Sequence, residues 1–304
     1  MNISIVSIIA RMLSSATPIA LAGVGGIFGE RSGITNIGLE GTMLLGAFSA
    51  AVGSFLSGNA WIGLLTGVIV ATMVSLFHAF LCITVGVDHT VSGLAINIFA
   101  MNFTIYALSA IFGNKGSTPE VPKLPSFNIP LLSNIPMTRE IFSNISYLTL
   151  AAVVITLVAH YILNKTDFGL HVLASGENSK AAYVLGINVK RVRYVSVLIG
   201  GLCCGLAGSF LSISYLGMFV KNMTSGRGFI AIATILFGRY NPYGVAFACL
   251  FFGLLDALQI SLQGIINIPS EVVQSFPYVM TILFVAINEW RSQRIKRSGI
   301  KLME

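Results

Sequence analysis

The chain has 304 residues, of which 55% are hydrophobic and only 10% are charged. A soluble domain carries about 25% charged residues because its surface must be hydrated, so this composition excludes a soluble globular protein. The net charge of +7 lies beside apolar segments rather than among interleaved aromatic residues, which argues against a nucleic-acid-binding protein. Lipid is therefore the expected solvent for much of the surface.

Charge-free stretches predict the membrane spans, because a helix needs about 20 mainly apolar residues to cross the hydrocarbon core. They lie between Arg11 and Glu30, Glu40 and Asp88, Asp88 and Lys115, Glu140 and Lys165, Arg193 and Lys221, Arg239 and Asp256, and Glu271 and Glu289. The stretch before Asp88 is long enough for two spans, broken near residues 57–59. Period-two alternation is absent, so we predict an all-α integral membrane protein, a polytopic bundle of about eight to ten helices, some of them broken.

The segment 29–41, G-E-R-S-G-I-T-N-I-G-L-E-G, joins the first two predicted spans. A charge inside the membrane is costly unless it is paired or faces water, and glycine lets the backbone bend. One interpretation is a broken helix that lines a transport pathway and is held together by Arg31 with Glu30 or Glu40. The other is a solvated loop, and the sequence favours neither. The pathway candidates here are Glu30, Arg31, Asn36 and Glu40.

The two sides of the membrane follow from proline and from basic residues. Segment 113–144 holds five of the nine prolines and is expected to be an irregular loop. More than half of the 18 Lys and Arg residues lie in 165–193 and 291–301, and short basic segments stay in the cytoplasm. We therefore expect an extracellular loop at 113–144, a cytoplasmic loop at 164–193 and a cytoplasmic tail at 291–304. The side of the N-terminus is left open.

Between the two basic segments an even number of spans is required. Four candidates fit, at about 194–216, an interrupted one at 222–238, 243–262 and 272–290. Gly33–Gly41 and Asn222–Gly228 each precede an apolar run and a turn. Such paired, glycine-interrupted segments are typical of a transporter pathway built from an internal repeat, although both segments could also be ordinary loops between helices.

Polar residues inside apolar runs add three pathway candidates, Asn97, Arg227 and Asp256. An unpaired carboxylate in a span is costly, so Asp256 is expected to pair, with Arg227 as one partner; the alternative is a hydrogen bond that only packs helices. Neither the cysteines nor the histidines have the spacing of a metal site, and no H-E-x-x-H or G-x-S-x-G motif occurs. We predict no catalytic residue and no metal.

The segment Gly176–Gly186 reads as a short helix within the basic loop. Ala181 and Ala182 are small enough to allow close docking of another chain, and Gly186 is expected to end the helix. From these residues alone an inert linker would explain the segment as well.

Several motifs resemble one family of transporters. Residues 180–186, K-A-A-Y-V-L-G, resemble the E-A-A-x-x-x-G coupling motif of bacterial ABC importer permeases, with Lys180 in the Glu position and without the downstream part of the motif. Residues 169–170, 176–178 and 186–189 are similar to the branched-chain amino acid, ribose and nucleoside permease group. The motifs at 29–41, 88–97, 222–229 and 277–278 resemble the smaller permease of nucleoside importers that work with a basic-membrane-protein lipoprotein. The resemblance runs from about Pro18 to Tyr278.

The resemblance implies that residues 1–304 form a single transmembrane permease domain in the plasma membrane of a bacterium. It would form the pathway for nucleosides as a heterodimer with a second, longer permease, alongside an ATP-binding subunit and a substrate-binding lipoprotein. Coupling to the ATPase would fall to Gly176, Glu177, Asn178, Lys180, Ala181, Ala182 and Gly186. No G-x-x-x-x-G-K-[ST] loop occurs, so ATP and Mg²⁺ are expected in the partner and no cofactor in this chain. The alternatives are a permease for sugars or branched-chain amino acids, and an ion-coupled secondary transporter.

Overall fold

The computed structural model describes residues 5–127 and 145–262, and this part is almost entirely helical. Its helices are α1 (Ile5–Arg31), α2 (Leu39–Ser57), α3 (Ala60–Ala79), α4 (His89–Phe112), α5 (Tyr147–Lys165), α6 (Asp167–Glu177), α7 (Ser179–Val184), α8 (Val189–Ser209), α9 (Arg227–Phe237) and α10 (Pro242–Leu262). Two short strands, β1 (Ser126–Phe127) and β2 (Ile145–Ser146), pair antiparallel. The described residues do not include the predicted span 272–290, the tail 291–304, the motif at 277–278 or residues 128–144 of the predicted loop 113–144.

Seven helices of the described part are long and apolar enough to cross a membrane. They are α1, α2, α3 with its continuation to Val85, α4, α5, α8 with its continuation to Leu216, and α10. The predicted all-α bundle is therefore confirmed, as is the break between the second and third spans. There Gly58 ends α2 with a φ of +66°, and the Asn59 side chain accepts a hydrogen bond from the Trp61 N–H at the start of α3.

The helices α3 and α8 end in the same way. Each continues as a π-helix, over Phe80–Val85 and Phe210–Leu216, and each π-helix stops at a glycine with positive φ, Gly86 (+84°) or Gly217 (+78°). A wide turn of this kind leaves the backbone in a left-handed conformation that glycine adopts without strain. Asp88 caps the start of α4, the helix that follows Gly86. Its carboxylate accepts hydrogen bonds from the N–H groups of Val91 and Thr90, and these bonds lower the pKa of Asp88.

Three helices form the centre of the bundle. In α1, α2 and α8, between 72% and 78% of the 18-residue apolar stretch of each helix is buried, whereas in α3, α4 and α5 the buried share of that stretch is 28%. The outer helices therefore turn apolar side chains such as Leu65, Ile98 and Val153 outward, as helices that face lipid do. The central helices approach closely through small residues; for example, a Cβ on Gly208 of α8 would lie 2.6 Å from the N of Ala47 in α2.

Contacts between helix ends define which segments share a side of the bundle. The Thr17 and Thr149 hydroxyl oxygens are 3.1 Å apart, so the first half of α1 lies beside the start of α5. The N–H of Thr118 donates to the Phe219 carbonyl (2.9 Å), which joins the loop after α4 to the loop after α8 on that same side. With the basic loop 164–193 in the cytoplasm, as predicted, the N-terminus of α1 would be extracellular.

Candidate functional site

The connection between α1 and α2 is irregular and largely buried in the protein. Residues 30–38, from the end of α1 to the residue before α2, are called the helix break here. The Ser32 N–H donates to the Phe28 and Gly29 carbonyls, and Gly33 turns the chain with a φ of +85°. Ser32 and Ile34 are buried, with exposed fractions of 0% and 2%. This burial is not that of a fully solvated loop, and the place of the segment in a transport pathway stays a prediction.

Glu40, at the start of α2, accepts hydrogen bonds from the start of α9. Its carboxylate oxygens lie 2.8 Å from the Gly226 N and 2.6 Å from the Gly228 N, and its side chain is almost completely buried. The first N–H groups of a helix have no partner within the helix and carry partial positive charge, so a carboxylate is well placed there. Gly228 is needed for this approach, since a Cβ on it would lie 2.5 Å from the Glu40 backbone.

The expectation that Arg31 pairs with Glu30 or Glu40 is wrong. Within the described part of the chain Arg31 takes part in no salt bridge, and Glu30 instead accepts a hydrogen bond from the Thr35 hydroxyl at 3.3 Å. The physical reason is the helix break itself. It turns the start of α2 toward α9, where backbone N–H groups replace the guanidinium as partners of Glu40.

Asn97 of α4 joins the end of the irregular segment to the first turn of α2. Its Oδ1 accepts the Gly41 N–H (2.7 Å) and its Nδ2 donates to the Ile37 carbonyl (3.0 Å). The neighbouring Asn36 acts locally, because its Oδ1 accepts the Gly38 N–H at 2.9 Å. Both amides thus satisfy backbone groups that the interruption leaves without helical partners.

Arg227, the first residue of α9, forms a salt bridge with Asp256 of α10. Its Nη2 lies 3.3 Å from the Asp256 Oδ2, and its Nη1 donates to the Met223 and Thr224 carbonyls. The predicted pairing of Asp256 with Arg227 is therefore present. The loop before α9 holds two non-glycine residues with positive φ, Asn222 (+55°) and Ser225 (+46°), so the backbone there is bent in a sparsely populated conformation.

These contacts bring the two glycine-interrupted segments together, because Glu40 of the first binds the backbone of the second. Asn97 and Asp256 extend the same set of contacts to α4 and α10. Glu30, Arg31 and Asn36 lie within the helix break, before α2 begins. Among the residues that the structure describes, no cluster of three metal-ligating side chains occurs. The arrangement is a set of paired charges and helix ends at which four helices meet.

The segment 164–193, which was predicted to be cytoplasmic, contains α6 and also α7, the short helix expected within Gly176–Gly186. Asn178 separates α6 from α7 and caps α7, because its Oδ1 accepts the Ala181 N–H at 3.0 Å. Gly186 has a φ of +85° and follows the end of α7, as expected for a helix stop. Of the seven residues predicted to couple to another chain, six are exposed and one, Ala182, is not.

Ala182 cannot be a docking surface, since only 2% of it is exposed. The interpretation failed because Ala182 packs inward, where the alanine methyl group fills space between α7 and the rest of the chain. The exposed surface lies directly after it, at Tyr183, Val184 and Leu185, which are 75%, 83% and 80% exposed. These three residues, the apolar tip, stand beside a cavity of about 540 Å³ lined in part by Leu185 and Arg191. Their apolar run within a basic loop was the signal that could have revealed them.

Arg193 is a second residue that sequence reasoning missed. It had counted only as one of the basic residues of the loop. In the structure its Nε donates to the Ser32 carbonyl (3.0 Å) and its Nη2 to the Ser175 carbonyl (3.2 Å), so it joins the helix break to the end of α6.

Comparison with known proteins agrees with these features. Residues 8–285 match the family described as the permease component of the branched-chain amino acid transport system. The Nucleoside ABC transporter permease protein NupC of Lactococcus lactis is 36% identical, covering 98% of this chain and 96% of the relative. The Guanosine ABC transporter permease proteins NupQ and NupP of Bacillus subtilis are 37% and 31% identical, covering 96% and 91% of this chain and 95% and 80% of their own lengths.

A solved structure shares the fold. It is described as an inward-facing ABC transporter of the metal-chelate type, with a TM-score of 0.51 and 17% identity, and the match covers 92% of this chain and 84% of that one. Together with the family and its bacterial relatives, the long apolar helices define the class, a multi-pass all-α permease of the plasma membrane. The chain belongs to the family of branched-chain amino acid transport system permease components.

Proposed function

We propose that this chain is one of two permease subunits of an ATP-driven importer and forms part of the pathway for nucleosides. The observation that carries the proposal is the meeting of the two interrupted segments, through Glu40 and the Gly226 and Gly228 N–H groups. Interrupted helices are tolerated at membrane depth where the irregular backbone is buried in protein or lines a cavity. The substrate class is taken from the relatives, which carry nucleoside or guanosine in their names over nearly the full length of this chain.

Pathway residues in this proposal fall into two groups. The first group connects α2, α4, α9 and α10, so a shift of one helix would displace the others; it consists of Glu40, Asn97, Arg227 and Asp256. Glu30, Arg31 and Asn36 belong to the break that lets α2 move relative to α1. Nucleosides are neutral, so charged pairs here would hold and move helices rather than neutralise the substrate.

ATP hydrolysis would take place in a separate ATP-binding subunit, and this chain would not be catalytic. The apolar tip would dock on that subunit, because three exposed apolar side chains outside the predicted spans are unfavourable in water and favourable in an interface. Gly176, Glu177, Asn178, Lys180, Ala181 and Gly186 would flank the docked tip, while Ala182 would support it from inside. A second permease is favoured by the occurrence of two related permeases, NupQ and NupP, in one organism.

The test is uptake by the complete system in vesicles, with this chain, the second permease, the ATP-binding subunit and the lipoprotein. Uptake of labelled guanosine should require ATP and should be reduced by unlabelled nucleosides but not by glucose or leucine. Competition by glucose or leucine alone would favour the sugar or amino acid alternative. Uptake that continues with a hydrolysis-deficient ATPase and stops with an ionophore would contradict the proposal in favour of a secondary transporter.

A further inference from the structure

Arg193 holds the ends of two helices at once. Its Nε donates to the carbonyl of Ser32, directly after α1, and its Nη2 donates to the carbonyl of Ser175, in the last turn of α6. Both serines are completely buried, whereas Arg193 itself is partly exposed. The guanidinium thus bridges the helix break of the proposed pathway and the helix that precedes the apolar tip.

The two helix ends also touch directly. Gly176 packs so closely on the end of α1 that a Cβ there would overlap the Arg31 carbonyl oxygen, and the Gly33 N is 3.3 Å from that position. No space remains for a side chain between α6 and the break. A displacement of α6 must therefore be transmitted to the residues that begin the break.

Arginine suits this position for electrostatic and geometric reasons. The last carbonyls of a helix lack intrahelical partners and carry partial negative charge, so two helix ends side by side attract a cation. A planar guanidinium presents several N–H groups in fixed directions and can serve both carbonyls together, whereas an ammonium is a point charge on a flexible stem.

The two hydrogen bonds of Arg193 start from a well-packed part of the bundle, because Arg193 lies on α8. α8 is one of the three buried central helices, and the residue after Arg193, Tyr194, is held by a 2.6 Å hydrogen bond between its hydroxyl and that of Thr84 at the end of α3. Ile34 of the break packs in the same small cluster with Val197 and Cys82. The bridge therefore joins the segment 164–193 to the helix break through one of the central helices of the bundle.

We propose that Arg193 is a positioning residue that transmits movement of α6 and the apolar tip to the helix break between α1 and α2. This inference rests on the proposed function. It concerns the efficiency with which ATP hydrolysis produces transport, not the folding of the chain or the binding of substrate.

The experiment measures nucleoside uptake and ATP hydrolysis together in the reconstituted importer. In Arg193→Met, uptake is expected to fall roughly tenfold while ATP hydrolysis measured without the lipoprotein stays within about twofold of wild type. Arg193→Lys should recover uptake only in part, because the ammonium can serve one carbonyl well but not both. Lys190→Met, an equal loss of charge on an exposed residue of the same helix, is the control and should behave as wild type.

A second variant tests the same link without touching Arg193. Gly176→Ala forces α6 away from Arg31 and should lower the ratio of uptake to hydrolysis in the same way. A normal ratio in Arg193→Met overturns the proposal, and so does a parallel fall of uptake, hydrolysis and thermal stability, which would mean a merely structural role.

A failure of the proposed function can be distinguished from a failure of the Arg193 proposal. Absence of nucleoside uptake by the wild-type importer would contradict the substrate class. Stimulation of ATP hydrolysis by the lipoprotein would then test Arg193, with the hydrolysis rate without lipoprotein, which should stay within about twofold of wild type, as the reference. Loss of the stimulation in Arg193→Met with normal thermal stability supports the transmission, and unchanged stimulation overturns it.

Discussion

Glu40→Gln is the perturbation whose effect can be worked out most fully. The carboxylate makes two short hydrogen bonds, to the Gly226 and Gly228 N–H groups, in a buried environment. A hydrogen bond to a charged group contributes about 1.5–3 kcal/mol, and a neutral one about 1 kcal/mol. Glutamine keeps one acceptor oxygen, so one bond is lost and the other becomes neutral. The sum is a loss of about 3 kcal/mol, close to a hundredfold in the unfolding equilibrium.

The same substitution elsewhere in the break provides a matched control. Glu30 is only partly buried, and its carboxylate accepts from the Thr35 hydroxyl at 3.3 Å and from the backbone N–H of Asn36. Glu30→Gln is therefore expected to cost less than about 1 kcal/mol, as is usual for weakly bonded groups near a surface. The two variants differ in what the carboxylate contacts, not in the chemistry of the change.

The purified permease is unfolded by titration with a denaturing detergent, and the loss of helical structure is monitored during the titration. Uptake is measured in parallel. Glu40→Gln should shift the transition to clearly lower detergent and reduce uptake, and Glu30→Gln should shift it little. Equal shifts in the two variants would refute the reasoning, because the cost would then not arise from the bonds to α9. A stable Glu40→Gln variant would refute it as well.

Three further predictions follow from individual contacts. Arg227→Ala should abolish uptake while the protein still inserts, and Arg227→Lys should restore it poorly, because lysine cannot hold Asp256 and two carbonyls together; full uptake by the lysine variant would contradict this role. Leu185→Ser should lower ATPase binding in pull-down assays at unchanged thermal stability, whereas Ala182→Glu should lower thermal stability itself, since it buries a charge; the reverse pattern would argue against the apolar tip. In a chain without cysteine, Ser126→Cys should react with an impermeant reagent from outside and Lys180→Cys only after permeabilisation; the opposite result would invert the topology.

Much of the fold could be predicted because membrane spans are a local property. A stretch without Asp, Glu, Lys or Arg shows where lipid replaces water, and each such stretch within the described residues covers most of at least one of the long helices. The interruptions were visible for the same reason, since glycines and charges between apolar runs mark backbone that cannot continue as a buried helix.

The coupling segment shows where local information ends. Its place in the chain followed from basic residues and from family motifs. Which of its side chains point outward depended on how α7 packs, and the inward position of Ala182 and the exposure of Leu185 are not encoded in a six-residue helix taken alone. A helix so short has no periodicity long enough to define a face.

The sequence by itself determined that this is a helical membrane protein, the approximate positions of its spans, and which segments interrupt them. Only the tertiary structure decided how the interruptions are held. Glu40 meets residues 186 and 188 positions away, and Arg193 meets a carbonyl 161 positions away. Their partners are backbone groups, which every residue carries, so no residue type marks them in the sequence. Charge composition had suggested Arg31 for Glu40, but free N–H groups at a helix start serve a carboxylate as well, and only the folded chain brings them within reach.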